Sequence, residues 1–310
     1  MTNSLFNRHL VSVDSLTLND LDLIFAKSIS MKKLVADKGG DERLKGKILA
    51  ALFFEPSTRT FSSFITSMQR LGGGIIPLPT MNFTSIAKGE TLPDTVRVYS
   101  KYADCIVMRH PEPFSVSTAA KSAQVPVINA GDGINEHPTQ AIIDYVTIRE
   151  KFKKIENLHI LMIGDLAHYR PTNSLAKLLT LFPEITVSLA TPVQTPIPAE
   201  IKDYLLKRKA NFKEYNGFSK LLPEIDVLYI TRVKKEYMTD KLYHSVKGSY
   251  IINAKLVNKM KKNSIIMHCL PRIDEIAMEV DADPRSIYLS NQLANSLYVR
   301  MGLLDLILRK

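Results

Sequence analysis

The sequence predicts an α/β protein of two doubly wound domains, each a mostly parallel sheet flanked by helices. Three observations carry that prediction. Short apolar runs of strand length alternate with stretches of three- and four-residue periodicity, the pattern of parallel strands joined by crossover helices. The 310 residues exceed the roughly 250–300 at which a single hydrophobic core stops growing. A charged stretch at 149–154 (Arg-Glu-Lys-Phe-Lys-Lys) interrupts the alternation near the middle.

In order along the chain, residues 14–34 open on cap-type residues and place Leu21, Leu23, Ile24 and Ala26 at helical spacing. Residues 47–54 form a continuous apolar run, read as a buried strand. After Pro56 the period becomes helical, with Phe61, Phe64, Ile65, Met68 and Leu71 on one face, until Gly72, Gly73 and Gly74 end it. A short strand follows at 75–78, then a helix over 90–103 and a strand over 105–108. The next strand, 125–129, runs into the turn residues Gly131, Asp132 and Gly133. A helix over 138–151 leads to the charged boundary. The second series reads as strands at 158–163, 186–190, 227–230, 250–252 and 264–267, and an amphipathic helix over 289–308 closes the chain. The boundaries expected are 1–150, completed by the final helix 289–310, and 151–288. In such folds ligands bind beyond the carboxyl ends of the strands, so the active site is expected in the cleft between the domains.

Composition excludes several classes. The chain is 45% hydrophobic and 23% charged, an ordinary globular profile. No apolar run approaches the roughly 20 residues of a membrane span. The N-terminus shows no secretory pattern. Cys105 and Cys269 stand in no disulfide or zinc spacing, so a cytoplasmic protein with reduced thiols is expected. The net charge of +10 raises the question of nucleic acid. Its lysines and arginines are scattered, without an aromatic-interleaved stripe, and read as solvated surface rather than a nucleic-acid face. A basic chain equally suits an anionic small molecule.

Ser57, Thr58, Arg59 and Thr60 sit where a buried strand gives way to a helix. Unpaired N–H groups and the helix dipole make that mouth an anion site. A single hydroxyl would suffice to cap the helix, whereas a guanidinium there is not needed for capping and suits phosphate in a two-pronged fit. Arg109 follows another strand end, and Lys88 lies in the loop before the 90–103 helix. His137 stands just ahead of a proline suited to a first helical turn, with Gln140 one turn on. Its ring could donate to a carbonyl oxygen that gains charge in acyl-type transfer. Neither G-x-x-x-x-G-K-[ST] nor G-x-G-x-x-G occurs, which argues against a nucleotide fold.

Residues 53–60 (Phe-Phe-Glu-Pro-Ser-Thr-Arg-Thr), 88–92 (Lys-Gly-Glu-Thr-Leu), 109–111 (Arg-His-Pro), 131–140 (Gly-Asp-Gly-x-x-x-His-Pro-Thr-Gln) and 268–272 (His-Cys-Leu-Pro-Arg) together resemble the aspartate/ornithine carbamoyltransferases. Their order and spacing are those of the aspartate branch over nearly the whole chain. The resemblance implies transfer of the carbamoyl group of carbamoyl phosphate to the amine of L-aspartate, giving N-carbamoyl-L-aspartate and phosphate on the way to pyrimidines. It implies a homotrimer with shared active sites, no cofactor and no metal, and it leaves open whether regulatory chains attach. Ser57, Thr58, Arg59 and Thr60 would hold the phosphate. Arg109 and His137, with Thr58, would polarise the carbonyl, and Gln140 would hold its amide. Thr84 and Lys88 would come from the adjacent subunit. Arg170, Arg232, Lys234 and Lys88 would meet aspartate, and the carbonyls of Leu270 and Pro271, at a cis peptide, would face the amine and carbamoyl amide.

Two guanidiniums suit a dicarboxylate and would repel ornithine's ammonium, and the Asp-x-x-x-Ser-Met-Gly loop of the ornithine branch is missing. Four positions depart from the aspartate pattern: Lys234 for glutamine, Tyr237 for an arginine that helps latch the domains to Glu55, Thr84 for serine and Cys269 for proline. They keep two alternatives in view, a carbamoyltransferase for ornithine or another amine, and a weakly active homologue serving as a binding or scaffolding subunit.

Overall fold

The computed structural model describes residues 2–78 and 88–310. They divide into two compact units, Met1–Val146 with Ala294–Lys310, and Thr147–Leu293. Both are parallel α/β layers, as the alternating pattern requires. Among the described residues no helix is long and apolar enough to cross a membrane.

The first unit begins with a 3₁₀ turn, Val13–Ser15, and helix α1, Leu18–Lys38. The helix starts later than 14 because Thr17 and Asp20 close a capping box, each side chain taking the other's backbone N–H. Gly39, at φ +75°, ends it in the left-handed conformation that glycine adopts without strain. Then follow β1 (Ile48–Phe53), α2 (Thr58–Arg70), β2 (Gly74–Leu78), α3 (Leu92–Tyr102), β3 (Cys105–His110), α4 (Ser115–Ser122), β4 (Val127–Asp132) and α5 (Pro138–Phe152). The sheet order is β2-β1-β3-β4, all parallel, with Phe53 paired to Arg109. Strands β1 and β3 are central, so Leu49–Leu52 and Cys105–Met108 are wholly buried. The chain departs from β1 to one side and later returns to its other side at β3, so the order reverses between them. Binding crevices open at such a reversal.

The second unit runs β5 (His159–Ile163), α6 (Arg170–Leu179), β6 (Thr186–Ala190), α7 (Ala199–Lys207), β7 (Asn211–Tyr215), β8 (Val227–Ile230), α8 (Asp240–Val246), α9 (Ala254–Val257) and β9 (Ile265–Met267). Its order, β7-β6-β5-β8-β9, reverses between β5 and β8. There Gly164 has φ +109°, and a Cβ on it would stand 2.4 Å from the Thr231 carbonyl oxygen. Only glycine lets the loops after β5 and β8 approach this closely.

Two expectations needed revision. Residues 250–252 do not form a strand: Ile252 makes one isolated bridge, to Ile276. The strand β7 went unread because its residues, Asn-Phe-Lys-Glu-Tyr, are polar and half exposed at the sheet edge.

Helix α10, Asn291–Leu308, returns the chain to the first unit. Asp305, 2% exposed, takes ion pairs from Lys27 (2.9 Å), Arg43 (3.1 Å) and Arg309 (3.0 Å). Burial works against its ionisation, yet Lys27 and then Arg43 outweigh burial and hold the carboxyl below its usual value. The stability this supplies is complete above the unfolded carboxyl pKa of about 4 and is lost as pH falls through the lower folded value. Asp305→Asn is therefore expected to lose about 2 kcal/mol at pH 7 and to flatten the acid limb of Tm against pH. An unchanged acid limb in thermal melts would contradict this.

Candidate functional site

At the reversal point of the first sheet, β1 delivers the chain into Ser57, whose extended backbone opens α2. The Ser57 side chain makes no capping bond to the helix. Its hydroxyl instead accepts from Arg109 Nη1 at 3.5 Å, while Arg109 Nη2 donates to Glu55 Oε1 at 2.7 Å. The simple capping role therefore fails for Ser57. Thr58 and Arg59 are exposed at the helix mouth and Thr60 is buried. The helix thus presents backbone N–H groups, hydroxyls and a guanidinium in one turn, with a second guanidinium from β3 beside it.

Beyond β4 the chain is organised by Asp132, which is fully buried. Its carboxylate accepts from Phe114 N (2.9 Å), Asn129 Nδ2 (2.9 Å), Asn135 Nδ2 (3.0 Å) and Glu136 N (3.2 Å). Glu136 in turn accepts from Ser12 Oγ at 2.7 Å and Val13 N at 3.1 Å. This network sets the start of α5, where His137 is 5% exposed and its Nδ1 lies 3.4 Å from Thr139 Oγ1. With that hydroxyl donating, the ring proton sits on Nε2, the arrangement needed to donate to a carbonyl oxygen. One turn on, Gln140 Nε2 donates to buried Asp144 at 2.9 Å, which leaves the Gln140 carbonyl to accept from an amide.

Arg300 was not anticipated from the sequence. It lies on α10, 2% exposed, with its guanidinium 5.0 Å from the Phe64 ring centre on α2. Burial, then the charge of Arg109, pushes its pKa down to about 9 against the pull of Asp144. A buried cation beside Arg109 adds positive potential behind the α2 mouth. The only sequence signal was an arginine inside an otherwise apolar helical run.

Of the other expected residues, Lys88 is exposed, and Thr84 lies outside the described residues. The second unit holds the rest, with Arg170, Arg232 and Lys234 after the two strands of its own reversal point and Leu270 and Pro271 after β9. Arg170 begins α6 and is 2% exposed. Arg232 Nη1 donates to Glu236 Oε2 at 3.2 Å. Lys234 is 8% exposed, and its backbone N–H donates to Asp165 Oδ2 at 3.1 Å. Asp165 also accepts from His168 N at 3.2 Å, and its carbonyl accepts from Thr231 Oγ1 at 3.2 Å, so one buried residue ties the two loops together. The Leu270-Pro271 peptide is cis. Leu270 N donates to His268 Nδ1 at 2.8 Å, which fixes that ring's tautomer and the backbone around the cis bond. Among the described residues no cluster of His, Cys, Asp and Glu is placed to hold a metal ion.

Two family models match the chain. Residues 8–150 match the aspartate/ornithine carbamoyltransferase carbamoyl-P binding domain, and residues 156–307 match the Asp/Orn binding domain. The chain is 42% identical over 308 residues to the aspartate carbamoyltransferase catalytic subunit of Methanopyrus kandleri, with 99% of each covered. It is 44% identical over 306 residues to the multifunctional protein pyr1-3 of Dictyostelium discoideum, spanning 98% of this chain but 14% of that one. Among solved structures, Trypanosoma cruzi aspartate transcarbamoylase in complex with carbamoyl phosphate and aspartate superposes with a TM-score of 0.92 at 33% identity, covering 99% and 98% of the two chains. The same enzyme with N-(phosphonacetyl)-L-aspartic acid gives 0.93 at 34% identity, again covering 99% and 98%.

Proposed function

The chain belongs to the aspartate/ornithine carbamoyltransferase family, and from that premise we propose that it transfers the carbamoyl group of carbamoyl phosphate to L-aspartate, yielding N-carbamoyl-L-aspartate and phosphate. The observation that carries this reading is the α2 mouth: Ser57 released from capping and drawn to Arg109, with Arg59 and Thr58 exposed beside it. In the reaction, Ser57, Thr58, Arg59 and Thr60 grip the phosphate. Arg109, His137 and Thr58 polarise the carbonyl, and Gln140, turned by Asp144, accepts from the carbamoyl amide. The backbone carbonyls at Leu270 and Pro271 orient the amine and amide. Arg170, Arg232 and Lys234 take the two carboxylates.

The neutral amine's lone pair attacks the carbonyl carbon, a C–N bond forms, the C–O bond to phosphate breaks, and the amine proton passes to the departing phosphate. Alignment of the reactants and stabilisation of the developing oxyanion supply the rate. The first unit is thereby the carbamoyl phosphate-binding domain and the second the aspartate-binding domain. The working form is a cytoplasmic homotrimer in which Thr84 and Lys88 serve the neighbour's site. The deciding experiment offers carbamoyl phosphate with aspartate and, in parallel, with ornithine. Carbamoyl aspartate and phosphate are expected from the first, and a rate lower by at least roughly a hundredfold from the second, because the guanidiniums of Arg170 and Arg232 are left facing an ammonium. Carbamoyl ornithine as the main product, or no product from either, overturns the reading.

A further inference from the structure

The loops after β5 and β8 build something around Lys234 that aspartate binding by Arg170 and Arg232 does not require. The Lys234 ammonium lies 4.8 Å from the ring centre of Tyr237 and 5.7 Å from that of Tyr169. Tyr169 is 3% exposed, with its phenol oxygen 3.0 Å from Cys269 Sγ. Burial, reinforced by Cys269, pushes that phenol well above its ordinary pKa, so the ring facing the cation is neutral. Tyr237 is backed by His168, stacked at 14° and 6.0 Å. His168 is held by Asp165, the same residue that fixes the Lys234 backbone. A long, flexible side chain has thus been given two aromatic walls, a braced second wall and a fixed stem.

The cage has a direction as well. Glu236, half exposed, is the carboxylate paired with Arg232. Burial acts to raise its pKa, yet Arg232 and, more weakly, Lys234 hold it below its usual value. Both cations therefore bear on the place where this carboxylate sits. A carboxylate arriving there would meet the same field.

We propose that Tyr169 and Tyr237 cage the Lys234 ammonium as a fixed third cation of the acceptor site, one that selects amino acids bearing two carboxylates by charge rather than through a neutral hydrogen bond. The ring faces hold a cation through their quadrupole and carry no net charge of their own to oppose a carboxylate. Tyr237 is a positioning residue here and Lys234 the group that meets substrate. The inference rests on the reading of the chain as an aspartate carbamoyltransferase.

The test compares wild type, Tyr237→Phe, Tyr237→Leu, Lys234→Gln and the Tyr237→Leu/Lys234→Gln double variant. Tyr237→Leu and Lys234→Gln are each expected to raise KM for aspartate about five- to tenfold with kcat within about twofold, while Tyr237→Phe keeps the wild-type KM. The double variant is expected to match Lys234→Gln alone, since the ring acts only through the ammonium. An unchanged KM in Tyr237→Leu, a Tyr237→Phe as impaired as the leucine variant, or additive effects in the double variant would each overturn the cage. Tyr237 is 38% exposed, and melting curves check that every variant folds; should the leucine variant unfold, Tyr237→Phe and Lys234→Gln still decide. A wild type that makes no carbamoyl aspartate refutes the parent reading instead, and the cage is then judged by calorimetric binding of succinate to the same proteins, with the same ranking expected.

Discussion

Replacing Arg109 with alanine is expected to lower kcat for carbamoyl transfer by about 10²–10³-fold, the loss seen when one donor is removed from an oxyanion-stabilising site. The side chain is well placed for that cost. It reaches Glu55 and Ser57 at once, and it stands close enough to Arg300 to depress that residue's pKa. Two guanidiniums close enough to repel one another would be relieved by an anion bound at the proposed α2 site. Arg109→Lys keeps the charge but loses the planar fork, so it should recover only part of the loss. The fold should survive, because the residue is 15% exposed and lies at a strand end. Steady-state rates at saturating aspartate read the effect. A kcat within about fivefold of wild type would remove Arg109 from the chemistry.

The second large effect is structural in origin. Asp132→Ala would strip one acceptor from four donors, of which Asn129 is fully buried and Glu136 nearly so. Each orphaned buried donor costs about 1–3 kcal/mol, and water can reach only some of them, so a loss of about 4 kcal/mol is expected. Because the same network sets the start of α5, activity should fall with stability even at temperatures where the variant is folded. Thermal melts at fixed protein concentration, alongside rates measured well below the melting transition of the variant, separate the two effects. A loss under about 1 kcal/mol would show that the loop has other support.

The same residue shows how the sequence misleads. Between two glycines, Asp132 reads as turn chemistry, and nothing local announces that its partners include an amide 18 residues earlier, at Phe114. Arg300 and Asp144 were silent for the same reason: a helix pattern says that a polar residue interrupts an apolar face, not what it meets there. The alternation of strands and helices, by contrast, was plain in the central strands, where Leu49–Leu52 and Cys105–Met108 are buried on both faces and apolar without interruption. The pattern weakened at the edges. Strand β7 is paired on one side only and could stay polar, whereas 250–252 looked like a strand because Ile252 is buried, although one bridge is all it makes. The α2 mouth was legible because one of its residues, Arg59, has no purpose in capping. The aromatic walls of Lys234 were not legible, since Tyr169 lies 65 positions away in the chain.

The return of α10 to the first unit sets a schedule for biosynthesis. The Asn3 side chain donates to the carbonyls of Leu306 and Arg309, both at 2.7 Å, and Asn7 N donates to Ile307 O at 2.9 Å. Residues 3–7 thus wait for 306–309 to be made, while the second unit, Thr147–Leu293, is continuous and can close before them during translation. Until Ala294–Lys310 is made, helix α1 lacks the partner that pairs Lys27 with Asp305, and Arg300 is not yet beside Arg109. The first unit is therefore complete only after the whole of the second has been made.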